Sequence, residues 1–91
     1  MVSDAEKLLR ARYSEKLPDK ITAMQTLLEG RDVQQLQIHL HKLAGSAGMY
    51  GYDAISIVAS DLEAVLVSEN SVDGENFQAL FAKLCAKVNA S

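Results

Sequence analysis

Residues 32–51 read DVQQLQIHLHKLAGSAGMYG, and the spacing within this stretch decides the fold. Asp32 and Gln35 stand three residues apart, the spacing of a helix-capping pair in which a side-chain oxygen receives a free backbone N–H. From there Val33, Leu36, Leu40, Leu43, Ala47 and Tyr50 recur at three- and four-residue steps, which places them on one face of a helix. Gly51 closes the pattern as a C-cap. The stretch is therefore an amphipathic helix with a buried stripe.

The same periodicity extends in both directions. Toward the N-terminus, Pro18 fits the first turn of a preceding helix, where its missing N–H is not needed. That helix carries Leu17, Ile21, Met24, Leu27 and Leu28 and stops at Gly30. Ahead of it, Ser3 and Glu6 have capping-box spacing and open a short helix running to about Lys16, with Leu8, Leu9 and Tyr13 as its apolar side. Toward the C-terminus, Asp53 caps a helix with the stripe Ile55, Val58, Ala59, Leu62, Val65 and Leu66. Ser68 to Gly74 is a polar loop. The last helix carries Phe77, Leu80, Phe81, Leu84 and Val88, with Lys83 and Lys87 near its C-terminal end, where positive charge favours the helix dipole. No segment reads as a strand. Met24 and Met49 read as ordinary bundle residues. The expected class is all-α, an antiparallel four-helix bundle with a short additional N-terminal helix, forming a single domain over residues 1–91.

Composition narrows the function. The chain has 91 residues, 48% hydrophobic and 23% charged, with one Cys and no Trp, as expected of one small folded domain. Nine basic against twelve acidic side chains give a net charge of −3, and no basic run exceeds Arg10–Ala11–Arg12, so a nucleic-acid partner is not expected. No apolar run approaches the roughly 20 residues of a membrane span, and Ser3, Asp4 and Glu6 stand where a signal peptide needs positive charge. The expected location is the cytoplasm. Cys85 has no Cys partner and reads as a small core residue. The initiating Met1 and the complete helical pattern favour a free-standing protein, and a monomer is expected.

One feature of residues 32–51 serves no packing purpose. Gly45 and Gly48 sit inside the helix, each costing roughly 1 kcal/mol relative to Ala. At about 100° per residue, His41 falls about 130° from the centre of the core face and points to solvent. Gly45 and Gly48 lie four and seven residues on, along that same exposed side, with Gln34 and Gln37 one to two turns before. An exposed imidazole thus stands beside a strip of helix without side chains, where another molecule can approach closely.

Several chemistries fail on spacing. His39 and His41 are two residues apart and face different sides, whereas helical metal ligands need steps of three or four, so no metal site is expected. The glycine-rich run from Gly45 to Gly51 lacks the preceding strand and the Lys-Ser/Thr of a phosphate loop. Ser46 is about 140° from His41, too far round the helix for a hydroxyl–imidazole pair. A nucleotide-binding fingerprint is also absent. What remains is His41 itself as a nucleophile toward a phosphoryl group brought by another protein. Imidazole ordinarily titrates near ~6.5 and is nucleophilic when neutral, and the donor's own Mg²⁺ and lysine then supply the charge stabilisation.

The run His41-Lys-Leu-Ala-Gly-Ser-Ala-Gly-Met-Tyr-Gly51, followed by a helix that includes Asp61-Leu-Glu63, resembles the signature of histidine-containing phosphotransfer (HPt) domains. That signature has Leu, Gly, a small pair and Gly at fixed steps after the histidine, matched here by Leu43, Gly45, Ser46, Ala47 and Gly51. The resemblance covers essentially the whole chain. It implies a phosphorelay protein of two-component signalling, in which His41 accepts a phosphoryl group at Nε2 from a receiver-domain aspartate and passes it to another receiver. It also implies receiver domains or a hybrid sensor kinase as partners, no catalytic machinery or cofactor of the chain's own, and Mg²⁺ supplied by the partner. One position departs: many members carry Lys three residues after the histidine, where this chain has Ala44. Lys42, about 100° round from His41, is the nearest cation and has a stem long enough to reach over.

The residues expected to face phosphate or partner are Lys42, Gly45, Gln37 and Gly48 around His41. Gly45 provides clearance, and Gln37 is placed to hydrogen-bond the phosphate or a partner backbone. His39, at the edge of the core face, has a structural role. The Ala44 departure supports an alternative: a bundle that is never phosphorylated and regulates a receiver or sensor kinase by binding alone.

Overall fold

Ser3 opens the first helix by accepting the backbone N–H of Glu6 on its hydroxyl at 3.2 Å, the cap expected from its spacing. The computed structural model describes residues 3–90, and over these the chain forms four helices: α1 (Asp4–Glu29), α2 (Val33–Met49), α3 (Asp53–Glu69) and α4 (Glu75–Ala90).

The two expected N-terminal helices are one. α1 runs through Pro18 without interruption, although an internal proline removes a hydrogen bond and costs about 3 kcal/mol. The reason is burial on both sides of it. Tyr13 and Leu17 before Pro18, and Ile21 and Met24 after it, are all core residues, and each such side chain contributes roughly 1.5–3 kcal/mol when buried. A break would swing half of this stripe away from the bundle. Pro18 itself lies on the exposed side. Leu8 and Leu9, read as that helix's apolar side, are 53% and 49% exposed, and of that set only Tyr13 reaches the core.

Two helix ends share one termination. After α2, Tyr52 N–H donates to the Ala47 carbonyl at 2.8 Å and Gly51 N–H to that of Gly48 at 3.2 Å, with Gly51 at φ 83°, the paired bonds of a Schellman motif with glycine in the left-handed position. After α1, Asp32 N–H donates to Leu27 and Arg31 N–H to Leu28 in the same pattern. There the left-handed residue is Arg31, at φ 53°, while Gly30 one place earlier is right-handed. Asp32 caps α2 through the Gln35 N–H at 3.2 Å, as its spacing predicts. Asp53 does not cap α3: Tyr52 holds that position without a side-chain bond, and Asp53 lies in the first turn, where its charge meets the positive helix end.

The helices pack as an antiparallel bundle, with α2 against α3 and α1, and α4 against α3 and α1. The core joins Leu17, Met24, Leu36, Leu40, Leu43, Ala47, Leu62, Leu66, Phe77 and Leu84, with Val72 from the α3–α4 loop. At one end Tyr13 stacks on Tyr50 (4.6 Å between centroids), Tyr52 lies 5.7 Å away, and the Tyr52 hydroxyl donates to the Arg10 carbonyl. These rings fasten the upper part of α1 to the α2–α3 turn. Met49 is not a bundle residue; it is 81% exposed, because the helix face has rotated off the core by that position. Cys85 is half-buried against the core, and burial raises its thiol pKa, disfavouring the thiolate.

Candidate functional site

α2 presents its charged and glycine-bearing side away from Leu36, Leu40, Leu43 and Ala47, which are fully or nearly fully buried. His41 stands on that outer side with 77% of its side chain exposed. The arrangement across from it, on α3, was not evident from spacing. Glu63 is only 24% exposed, and its two carboxylate oxygens lie 3.1 and 3.2 Å from His41 Nδ1. A carboxylate only accepts, so the neutral imidazole must carry its proton on Nδ1 and donate it to Glu63. Nε2 then holds the lone pair. The ring is oriented by one nitrogen and open for reaction at the other.

His41, Gln37, Ile38, Lys42 and Glu63 line a shallow hollow of about 210 Å³. Gln37 is half-buried at its edge, and Lys42 is exposed on the opposite flank of His41 from α3. Ile38, 44% exposed, gives the hollow an apolar rim. Two of the expected residues, Gln37 and Lys42, are thus gathered around His41, together with Ile38 and Glu63, which spacing alone did not single out.

The two glycines differ. A Cβ added at Gly45 meets nothing within 4 Å, so the surface one turn beyond His41 is bare and open. A Cβ at Gly48 comes within 3.2 Å of Ser56 Oγ on α3, and that hydroxyl donates to the Ala44 carbonyl at 2.7 Å. Gly48 therefore gives α3 room to approach α2. Ala44, where a lysine was the family expectation, is half-buried in this same seam.

Ser46 and His39, two further polar residues of α2, are engaged elsewhere. Ser46 pairs with Tyr13 at 2.6 Å on the α1 side, away from His41. His39 donates from Nδ1 to the Gln35 carbonyl at 2.8 Å, within its own helix. Among the described residues no group of three or more His, Cys, Asp or Glu is placed to hold a metal ion, and no helix is long and apolar enough to cross a membrane.

A helical bundle that presents an imidazole oriented from a neighbouring helix and exposed at its other nitrogen has the form of a group carrier. The chain matches the family model of the Hpt domain over residues 8–90, nearly its whole length, and belongs to that family. Comparison with curated proteins and with solved structures gives no significant match. Membership assigns the chain a phosphotransfer role in two-component signalling, as a carrier that works with receiver domains or kinases.

Proposed function

We propose that His41 is the phosphoryl acceptor, taking the group at Nε2 from a receiver-domain aspartyl phosphate and returning it to the aspartate of another receiver. The observation that carries this reading is the Glu63 carboxylate on Nδ1, 3.1 Å away, beside an otherwise exposed ring.

The step balances as follows. The Nε2 lone pair attacks phosphorus, the P–N bond forms, and the acyl P–O bond breaks with its electron pair leaving on the donor aspartate. The ring gains positive charge as the bond forms, since Nδ1 keeps its proton. Glu63 faces that proton and stabilises the charge, so the protein contribution is strongest where charge develops. The reverse step returns the phosphoryl group to a carboxylate by the same path. Gly45 leaves room for the donor loop. Gln37 offers an amide N–H₂ to the phosphoryl oxygens, and Lys42 an ammonium. Mg²⁺ belongs to the partner in this scheme, and the chain acts as a monomer in the cytoplasm.

Phosphoramidate, a small donor that modifies accessible histidines, tests the assignment. Intact-mass spectrometry is expected to find one acid-labile phosphate on the wild type and on His39→Ala, and none on His41→Ala. Absence of the adduct from the wild type, under conditions that modify another Hpt domain, supports instead regulation by binding alone.

A further inference from the structure

On the flank of α2 away from Glu63, a cleft of about 190 Å³ opens toward α1, lined by Lys20, Met24, His39, Lys42 and Leu43. Met24 and Leu43 form its floor and are 1% and 2% exposed. Its rim carries Lys20 from α1 and His39 and Lys42 from α2. No carboxylate lines it, in a chain whose net charge is −3.

These groups are not held by acids elsewhere. The ion pairs among the described residues are Arg31 with Asp73 and His41 with Glu63. The Lys20 ammonium lies 5.9 Å from the Tyr13 ring centroid, over an aromatic face rather than beside a carboxylate. His39 commits Nδ1 to the Gln35 carbonyl at 2.8 Å, which leaves Nε2 for an outside group, as acceptor when the ring is neutral and as donor when it is protonated. An apolar floor beneath cationic groups strengthens their attraction for an anion, because less water screens it. Lys42 also lines the hollow around His41, so the two depressions form one continuous surface with this lysine between them.

We propose that the cleft receives an acidic side chain, Asp or Glu, of the protein that exchanges phosphoryl groups with His41, and that it selects that partner at docking. The proposal rests on the reading of His41 as phosphoacceptor. A protein seated over His41 covers Lys42 and brings its adjoining surface to the mouth of the cleft. The charge there attracts a carboxylate and repels a basic surface, which governs the rate and choice of encounter more than the chemistry.

The full chain is loaded at His41 with phosphoramidate and mixed with purified response-regulator receiver domains, and loss of the phosphoryl group is followed across a salt series. The variants are Lys20→Glu, Lys20→Arg and His39→Gln, with folding verified by circular dichroism. Loading by phosphoramidate is expected to be equal in all. Discharge to the receivers that accept from the wild type is expected to slow about tenfold in Lys20→Glu, with a weaker salt dependence, and to be restored in Lys20→Arg. Discharge from Lys20→Glu at the wild-type rate overturns the proposal while leaving His41 as acceptor. Failure of wild-type His41 to load overturns the phosphoacceptor reading itself, and the docking role with it.

Discussion

Glu63 holds His41 from across the α2–α3 seam, with carboxylate oxygens 3.1 and 3.2 Å from Nδ1. The pair is partly exposed, so its contribution to folding is small, within about 1 kcal/mol. In the proposed phosphotransfer, its importance is for the tautomer and for the charge on the ring. Glu63→Ala is expected to slow phosphorylation of His41 by about 10- to 100-fold, the loss typical when the carboxylate that orients a metal-ligating histidine is removed. Glu63→Gln retains an acceptor for the Nδ1 proton without the negative charge and is expected to fall between. Rates of phosphoramidate labelling, read beside denaturant melts, separate this from unfolding. Equal rates in all three proteins contradict the role.

Gly45 and Gly48 respond differently to the same substitution. Gly45→Ala adds a Cβ into open space and is expected to stabilise the helix by about 0.5–1 kcal/mol. Gly48→Ala puts its Cβ 3.2 Å from Ser56 Oγ, disturbing a hydroxyl bond to Ala44 worth about 1 kcal/mol, so its gain is cancelled. Gly45→Gln is expected to keep the fold and slow transfer from a receiver more than loading from phosphoramidate, which needs less clearance. Denaturant melts and the two transfer rates check these outcomes.

Arg31 occupies the left-handed position that ends α1, at φ 53°. Arg31→Gly is expected to raise stability by about 1 kcal/mol, since glycine adopts this conformation without a steric penalty. The lost contact with Asp73 is a 3.4 Å pair between side chains 72% and 63% exposed and contributes little. A melt of the variant that is unchanged or lower contradicts this account of the turn.

Tyr13 has its phenol pKa raised above the ordinary 10.0, mainly by burial, with the Ser46 hydrogen bond opposing. The folded chain therefore keeps this proton at pH values where the unfolded chain has lost it. Stability associated with neutral Tyr13 is complete below about pH 10 and is lost as pH rises through the raised value. Tyr13→Phe is expected to lower stability at neutral pH, through loss of the 2.6 Å bond to Ser46, and to flatten the alkaline decline in stability. Melts at neutral and alkaline pH read both effects.

The stripes of α2, α3 and α4 were legible because each buried position recurs at helical spacing, and the caps at Ser3 and Asp32 followed from local chemistry. Pro18 misled because its local cost is visible in the sequence, whereas the offsetting burial of Tyr13, Leu17, Ile21 and Met24 depends on other helices. The exposure of His41 followed from a single helical wheel. Glu63 and Ser56 did not, since their roles depend on the register of α3 against α2, which spacing within one helix does not define. The same register distinguishes Gly48 from Gly45.

The central claim is that Glu63 keeps the proton on Nδ1 and leaves Nε2 of His41 to react. Phosphorylating ¹⁵N-histidine-labelled protein with phosphoramidate and recording the ³¹P and imidazole ¹⁵N spectra reads the modified nitrogen directly. The account predicts phosphorus on Nε2 and a protonated Nδ1, with that proton signal lost or exchanging faster in Glu63→Ala. Phosphorus on Nδ1, or on His39, contradicts it.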